Sequence, residues 1–584
     1  MVGKIQINDI DFNAYKCIKD KYDRVVDGIS HGRAIYFDST NQLYYKIFHP
    51  EYCRIDNFRK AINANFFEGL APALTDLICD RWGEVVGYVT KAGPLLSPNE
   101  FDNHLIPRDF FRILKNRIKE SGMFFYDLVP HNIILIDGNP SLIDLESVYN
   151  LDEYNTLSEH NAKVKPVELD NYIKELRSSI PMKISFIQPG RNNLKYLKWS
   201  YDSIRKNQGN HEVEICVADD FSNDGTWDWC TEMMGIDSKF KAIRNEGPTR
   251  LGHTILYDRL VNEVASHDIC MIYHADMYLC PNALDYVKEL ISPKAIVSLT
   301  RIEPPLHPPG PEKILQDFGI EPEEFDEDAL FAYLQSTDTE RELKTTEGIF
   351  APWAFYKKDF QEIGGHDPLY APQSKEDTDI FNRFQLNGVK FVQTWGGCVY
   401  HMTCRGSRFA DGATRNPDGQ VFMKNRETDE WLTQNEKASR NFIRKWGHFC
   451  KHDSLMKPII PHKYDIGFIL KDNNIDILRA LEPWCSTIYC DTHLGKHYII
   501  TEQSNTTIDL TARVKPYNNE KNNEILVTID ANRFNQQDFG YIQQLSEIID
   551  DSGEPGFHGE IGNLKIEIFE NINTYETELI LCES

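Results

Sequence analysis

The strongest constraint on the fold of this chain is an alternation of apolar and helical stretches in its middle third. Buried strands are indicated by KISFIQP, EVEICVADD and DICMIYHADM, and helical spacing follows in LKYLKWSYDSIRKN and TWDWCTEMM. Such alternation predicts an α/β fold in which a parallel sheet carries helices on its faces. Ligands of these sheets bind beyond the carboxyl ends of the strands. The polar residues that follow each strand are therefore the first candidates for a functional site.

The length of 584 residues exceeds what one hydrophobic core supports, so several domains are expected. The α/β pattern predicts one domain over residues 182–450. A polar linker over 156–181 separates it from a first domain over 1–155, and strand–helix–strand patterning predicts a third, α/β accessory domain over 457–584.

The net charge of −26 disfavours nucleic acid and anionic membranes as partners, because their phosphates repel an acidic surface. Thirteen cysteines without a Cys-x-x-Cys pair argue against a zinc ribbon and a disulfide scaffold. Neither a signal peptide nor an apolar run of roughly 18 residues is evident. We expect a cytoplasmic protein without a transmembrane segment. Many Asn, Ile and Lys residues indicate an AT-rich genome, and so a bacterial cytosol or that of a virus-infected host.

Two carboxylates, Asp219 and Asp220, end the second strand and lead into a turn-rich stretch. They are suited to hydrogen-bond a base and a ribose, although a strand capped by a turn explains one of them equally well. The next strand is predicted to place His274 and Asp276 on one face, since residues i and i+2 of a strand point the same way. Carboxylate and imidazole together suit a divalent cation.

A glycine pair, Gly364-Gly365, precedes the acidic residues Glu376 and Asp377, which open a helix. Their alternative role is to complement the helix dipole. His401 ends a later strand, where a histidine is more often part of the core or surface than a ligand.

In this order and spacing, the four pieces resemble the family 2 glycosyltransferases, whose GT-A fold is a Rossmann-like nucleotide-diphospho-sugar transferase domain. The resemblance covers residues 182–450. That family opens with a strand and a proline-containing turn, here Gln188-Pro189-Gly190-Arg191-Asn192-Asn193. The residues that the resemblance assigns to the nucleotide sugar are Gln188, Pro189, Arg191, Asn193, Asp219, Asp220, Arg250, His274 and Ala275.

The resemblance also implies the chemistry. Asp276 and His401 would bind Mn²⁺ or Mg²⁺, and Asp377 would be the general base, with Glu376 beside it. A UDP-sugar or another nucleoside-diphosphate sugar would be the donor, and a glycan, a lipid-linked molecule or another hydroxyl compound the acceptor. Inversion at the anomeric carbon is expected. The sequence departs from the family at His274, which stands where the metal motif usually has its first Asp.

An earlier set of residues resembles a reduced protein-kinase-like α+β fold of the kind found in small-molecule and lipopolysaccharide kinases. Lys46 would reach the phosphates of ATP and pair with Glu68, Asp127 would be the base, and Asn132 and Asp144 would bind metal. Tyr126 precedes Asp127 where the family has Arg. A degenerate nucleotide-binding or scaffolding domain is the alternative.

The main hypothesis is a cytosolic multidomain glycosyltransferase, bifunctional if the first domain phosphorylates a sugar or glycan. A rival is a non-catalytic nucleotide- or glycan-binding scaffold with two degenerate folds. A third reading, a glycosyltransferase that modifies nucleic acid bases, is disfavoured by the net charge. For residues 457–584, oligomerisation and acceptor docking both stay open.

Overall fold

A computed structural model provides the structure of the protein. It describes residues 2–21, 25–26, 29–30, 33–48, 55–93, 108–125, 133–136, 139–143, 145, 148–150, 181–405, 412–423 and 427–577. The chain divides into two compact units. The first comprises Met1–Lys183, Asn210–Glu212 and Lys288–Leu290, and the second comprises the other residues. The second unit contains both predicted domains 182–450 and 457–584.

The first unit is built on a six-stranded sheet in the order β1-β7-β8-β6-β5-β2, in which only β1 and β7 are parallel. Its described strands are β1 (Gly3–Gln6), β2 (Lys16–Lys21), β3 (Val25–Val26), β4 (Ile29–Ser30), β5 (Arg33–Asp38), β6 (Leu43–Phe48), β7 (Leu74–Cys79), β8 (Val85–Lys91), β9 (Met123–Phe125), β10 (Ile133–Ile136), β11 (Asn139–Leu142) and β12 (Val148–Asn150). Helices α1 (Ile55–Asn63) and α2 (Arg108–Ser121) pack beside it, and Phe58 of α1 lies against Tyr88 with 5.1 Å between ring centroids.

A ten-stranded mixed sheet organises the second unit, with the path β15-β14-β13-β16-β21-β18-β22-β17, β19 on β18 and β20 on β22. These strands, with the separate hairpin β23–β24, are β13 (Lys183–Gly190), β14 (Glu212–Asp220), β15 (Phe240–Asn245), β16 (Ile269–Ile272), β17 (Met277–Leu279), β18 (Ala295–Glu303), β19 (Lys313–Leu315), β20 (Thr345–Thr346), β21 (Trp353–Tyr356), β22 (Lys390–His401), β23 (Ala413–Arg415) and β24 (Val421–Met423).

The helices of this sheet are α3 (Leu194–Asn207), α4 (Thr226–Ile236), α5 (Gly252–Arg259), α6 (Ala283–Leu290), α7 (Glu327–Arg341), α8 (Lys357–Glu362), α9 (Glu376–Leu386) and α10 (Asp429–Trp446). A π-helical turn, Leu260–Val264, extends α5. The α/β pattern predicted from the sequence is therefore confirmed. One predicted strand is wrong, since DICMIYHADM divides into β16, a turn and the start of β17. His274 and Asp276 lie in that turn, so strand alternation does not determine their directions.

The C-terminal part of the second unit has its own sheet in the order β27-β26-β25-β28-β30-β29, of which the first four strands are parallel. Its strands are β25 (Ile466–Lys471), β26 (Thr487–Cys490), β27 (Val514–Pro516), β28 (Ile525–Asp530), β29 (His558–Ile561) and β30 (Leu564–Ile568). Its helices are α11 (Ile475–Leu481), α12 (Thr492–Glu502), α13 (Leu510–Arg513), α14 (Gln536–Gln543), α15 (Leu545–Ser552) and α16 (Thr574–Thr577). None of the helices in the described part of the chain has both the length and the apolar composition that crossing a bilayer requires.

A buried ionic cluster joins α10 to this C-terminal sheet domain. Arg444 of α10 lies 2.8 Å from Glu482 and 2.7 Å from Glu502, and all three side chains are almost completely buried. Arg513 adds a contact of 2.7 Å to Glu482, and Tyr498 donates a hydrogen bond of 2.8 Å to the same carboxylate. Because each charge is paired and hydrogen-bonded, the cluster tolerates burial.

We predict that Glu482→Ala destabilises this unit by about 3–5 kcal/mol, because it leaves Arg444 and Arg513 without their shared buried partner. Glu362→Ala is the matched control, since the Glu362–Lys294 pair is 47% and 39% exposed and such pairs contribute about 0–1 kcal/mol. Denaturant unfolding followed by circular dichroism measures both. Equal effects of the two substitutions would contradict the role given to the cluster.

Candidate active site

A cavity of about 570 Å³ opens where the carboxyl ends of β13, β14, β18 and β22 meet. Most of the predicted site residues line it: Pro189, Arg191, Asn193, Asp220, Arg250, His274, Ala275, Asp276, Glu376, Asp377 and His401. They come from six separate stretches of the chain. Their convergence follows from the parallel strands, whose carboxyl ends share one edge of the sheet.

Strand register brings three of the key side chains together. Met277 of β17 pairs with His401 of β22, which sets Asp276 beside His401. On the other side of β22, Ile302 of β18 pairs with Tyr400, so Glu303 follows next to His401. Two acids from distant segments thus flank one histidine.

The side chains of His274, Asp276 and His401 form a group that fits a divalent cation, because their ligand atoms lie within 4.8 Å of one another. His401 Nε2 is 3.5 Å from Asp276 Oδ1. The other ring nitrogen, Nδ1, lies 3.0 Å from Glu303 Oε1. A carboxylate on Nδ1 orients the imidazole and leaves Nε2 for a metal, an arrangement typical of histidine ligands.

Charges around His401 determine its protonation. Burial by itself lowers the pKa of His401, but Asp276 and Glu303 outweigh burial and raise it to about 9. For Asp276, burial raises the pKa, but the combined opposing effects of His401, His274 and the backbone amide of Arg405 hold the pKa well below its usual range. Burial lowers the pKa of His274 to about 4, so this ring is neutral at pH 7 and has a lone pair available.

Glu303 is predicted to be a positioning residue for metal binding. Glu303→Gln should weaken the apparent affinity for Mn²⁺ by about 10–100-fold, with activity recovered at high Mn²⁺, because His401 loses its charged partner. Titration of activity and of bound Mn²⁺ by electron paramagnetic resonance measures this. Glu312→Gln is the control, since Glu312 contacts Arg301 and Lys313 at 3.9 and 3.7 Å. An unchanged Mn²⁺ titration for Glu303→Gln would refute this role.

The two acids at the end of β14 already have partners within the protein. Asp219 is completely buried and lies 3.2 Å from Arg244 Nε. Asp220 accepts hydrogen bonds from the backbone amides of Leu251 and Gly252, at 3.0 and 2.9 Å. Both carboxylates therefore hold loops in place beside the cavity, and only Asp220 is among its lining residues. Contact of either acid with a base or ribose stays a prediction.

Gln188 likewise has its hydrogen-bond partner within the protein, behind the surface of the cavity. Its amide donates a hydrogen bond of 2.8 Å to Ser200, and the side chain is almost fully buried without lining the cavity. Arg250, by contrast, lines the cavity and lies 3.6 Å from Asp220.

The acid pair at the start of α9 faces the cavity in a buried setting. Burial, and then the charge of Asp377, raise the pKa of Glu376 to about 8. Burial also raises the pKa of Asp377, against an opposing effect of His366. A carboxylate that mainly complements a helix dipole has a lowered pKa, so the dipole alone does not explain this pair. Raised carboxyl pKa values in a cavity are typical of catalytic acids and bases.

His366 was not among the predicted site residues. Its Nδ1 lies 2.7 Å from Asp258, its ring stacks on Tyr257 at 5.3 Å, and Tyr257 lines the cavity. The sequence signal is its place in Gly364-Gly365-His366-Asp367, ten residues before the acid pair. Arg301, Glu303 and Lys313 were also missed, although Arg301 and Glu303 are charged residues at the end of an otherwise apolar strand.

If Asp377 is the general base that the family resemblance implies, the pH dependence of the reaction should follow its ionisation. A general base acts only when ionised, and burial raises the pKa of Asp377, so kcat/KM should fall as the pH is lowered through that raised pKa. Initial rates between pH 5.5 and 9 at saturating Mn²⁺ test this. A rate that is constant below pH 7 would contradict it.

In the first unit, Lys46 is buried on β6, and its ammonium lies 5.5 Å from the centroid of the Tyr88 ring. Glu68, the predicted partner of Lys46, lies in the turns after α1, where its carboxylate pairs with Arg117 at 2.8 Å. Asp127, Asn132 and Asp144 lie outside the described residues. The kinase-like site therefore stays a prediction.

One family model matches the sequence of a segment that forms part of this cavity. The model of glycosyl transferase family 2 matches residues 185–343. That segment contains Asp219, Asp220, Asp276 and Glu303, whereas the acid pair and His401 come after it. A search of curated proteins gave no match.

Three of the solved structures with similarity to this chain are the following. GalNAc-T7 with UDP, GalNAc and Mn²⁺ is 13% identical, over 45% of this chain and 48% of that one, at a TM-score of 0.32. The mannosyltransferase PcManGT from Pyrobaculum calidifontis, in complex with GDP-Man and Mn²⁺, is 14% identical. The match covers 50% of this chain and 74% of that one, at a TM-score of 0.30. S. aureus TarS is 13% identical, and the match covers 38% of this chain and 36% of that one, at a TM-score of 0.29. The chain thus spans about half the length of the first of these enzymes. Over residues 185–343, this chain is similar to the family 2 glycosyl transferases in sequence, and that segment folds as an α/β domain.

Proposed function

We propose that this protein is a metal-dependent glycosyltransferase that moves a sugar from a nucleoside-diphosphate sugar to an acceptor hydroxyl. One observation carries the proposal: Asp276 and His401 on one side, and Glu376 and Asp377 on the other, line a single cavity at the carboxyl edge of the sheet. The family match over residues 185–343 supports the same class of reaction.

The donor set fits a hard divalent cation. His274, Asp276 and His401 would hold Mn²⁺ or Mg²⁺, and Glu303 would orient His401. When bound, such a cation supplies Lewis-acid stabilisation of negative charge on a diphosphate. Arg191 and Arg250 line the same cavity and add positive charge near the nucleotide.

The chain's own residues would move the proton. Asp377 accepts the proton of the acceptor hydroxyl while that oxygen bonds to the anomeric carbon and the bond to the diphosphate oxygen breaks. The nucleoside diphosphate leaves with the bonding electron pair. Glu376 stands beside the base and, with a pKa of about 8, is largely protonated at pH 7, which limits repulsion between the two carboxyls.

A single displacement inverts the configuration at the anomeric carbon. Nuclear magnetic resonance of the product, recorded before mutarotation, distinguishes an inverted linkage from a retained one. Retention would exclude the single-displacement step with Asp377 as base.

Ligand-induced stabilisation is the simplest test of the proposed activity. A ligand that binds only the native state raises its melting temperature, so a UDP- or GDP-sugar with Mn²⁺ should stabilise the protein. Asp276→Ala should remove the Mn²⁺-dependent part of the shift, because Asp276 is a cation ligand in this proposal. If no nucleotide sugar stabilises the wild-type protein, the proposed donor site is contradicted.

A further inference from the structure

A second cavity, of about 480 Å³, lies between α10 and the C-terminal sheet domain. We call it the α10 cleft. Its lining residues from the start and body of α10 are Thr428, Glu430, Trp431, Thr433, Gln434, Glu436, Lys437 and Arg440, and those from the C-terminal domain are Arg479, Glu502 and Asn505. The volume falls within the roughly 300–1,000 Å³ typical of small-ligand sites.

The α10 cleft begins at the wall of the catalytic cavity. Arg250 and Gln373 line both spaces, and Arg250 Nη2 donates a hydrogen bond of 3.0 Å to Gln373 Oε1. Gln373 lies three residues before Glu376, on the loop that leads into α9. The two cavities are therefore adjacent and share the Arg250–Gln373 pair.

Contacts with α10 hold this connecting loop in place. Gln434 donates hydrogen bonds to the backbone oxygens of Ala371 and Gln373, at 3.4 and 3.1 Å. Ser374 donates to Asn435 at 2.8 Å. The boundary between the two cavities is thus formed by ordered polar groups. Such groups can hydrogen-bond a ligand that contacts both cavities.

The charges of the α10 cleft balance only when Asp220, the partner of Arg250 outside the cleft, is counted with them, and this balance disfavours an anionic ligand. Its cationic side chains are Arg250, Lys437, Arg440 and Arg479, and its anionic ones are Glu430, Glu436 and Glu502. Arg440 lies 2.9 Å from Glu502, Arg479 lies 3.6 Å from Glu436, and Arg250 pairs with Asp220. A phosphate-rich ligand would need an excess of cations, so a neutral polar ligand fits better.

The remaining lining has the chemistry that carbohydrate needs. Thr433, Gln434 and Asn505 offer hydroxyl and amide groups, and the paired charges add further donors and acceptors for sugar hydroxyls. Trp431 supplies an aromatic ring for the apolar face of a sugar. Polar groups from two domains around one aromatic side chain suit a chain of sugar units better than a single small acceptor.

We propose that the α10 cleft binds the acceptor as an uncharged oligosaccharide, with the C-terminal domain forming one wall of the acceptor site. This inference rests on the proposed function, since it places the acceptor's reactive end at Asp377 and its further units in the cleft.

The test is binding of the full-length chain to an array that carries neutral, sulfated and phosphorylated glycans and single sugars. Wild-type protein should bind neutral oligosaccharides of two or more units in preference to single sugars and anionic glycans. Trp431→Ala and, from the other wall, Arg479→Ala should each weaken that binding by about tenfold or more. Leu432→Ala is the matched control, because Leu432 is 45% exposed on the same helix and does not line the cleft.

The possible results distinguish a failure of the cleft proposal from a failure of the proposed transferase function. Circular dichroism verifies that the variants are folded. Binding confined to anionic glycans, binding that both cleft variants retain, or no glycan binding by the wild type would overturn the proposal. Hydrolysis of UDP- and GDP-sugars by wild-type protein, in which water takes the place of the acceptor and receives the sugar, is measured in parallel as release of nucleoside diphosphate. Glycan binding without any such release would contradict the proposed transferase function, whereas release without glycan binding would contradict only the cleft.

Discussion

Asp276→Asn is expected to lower the rate of sugar transfer by about three orders of magnitude. Cation stabilisation of a leaving diphosphate contributes several kcal/mol, and each 1.36 kcal/mol corresponds to a factor of ten. The substitution also removes the negative charge that faces His401 Nε2 at 3.5 Å. Steady-state rates over a range of Mn²⁺ concentrations measure the loss, which excess Mn²⁺ should not restore.

Asp228→Asn is the control for this substitution, because Asp228 is an exposed residue of α4 away from the cavity. It should leave the rate unchanged. If Asp276→Asn retained more than about a tenth of wild-type activity, Asp276 would not be the principal cation ligand.

Asp377→Asn is expected to lower kcat by about 10²–10⁴-fold, the usual contribution of a general base. Unlike Asp276→Asn, it should preserve stabilisation by nucleotide sugar and Mn²⁺, because Asp377 is assigned to the acceptor proton and not to the cation. Rates measured together with thermal shifts therefore separate the two roles.

Glu376→Gln identifies which member of the acid pair is the base. It should reduce kcat less than Asp377→Asn does, since Glu376 is the more buried of the two and has a pKa of about 8. A larger loss for Glu376→Gln than for Asp377→Asn would reverse the assignment.

Local patterns were sufficient to predict much of this fold. The strands β13 and β14 and the helices α3, α4 and α9 follow directly from apolar runs and helical spacing in the sequence. The acids at strand ends were expected at one edge of a sheet for the same reason. Of the four residues expected to meet there, Asp276, Asp377 and His401 line one cavity, whereas Asp219 does not line it.

Residues whose roles depend on long-range pairing were not predictable in this way. Glu303 reaches His401 only because β18 pairs with β22, about a hundred residues later in the chain, and no local pattern encodes that register. The same limit applies to Asp220, whose partners Leu251 and Gly252 lie at the start of α5. The break between β16 and β17 was missed because the alternation of apolar and polar residues typical of a strand continues through the turn.

The most direct test of the central claim is an anomalous-scattering measurement at the manganese edge, on crystals of the full chain grown with Mn²⁺ and either UDP or GDP. We predict one strong peak bonded to Asp276 and His401, with the diphosphate on the same cation and Asp377 facing the open side of the cavity. A nucleotide bound elsewhere, or manganese that contacts neither Asp276 nor His401, would contradict the account.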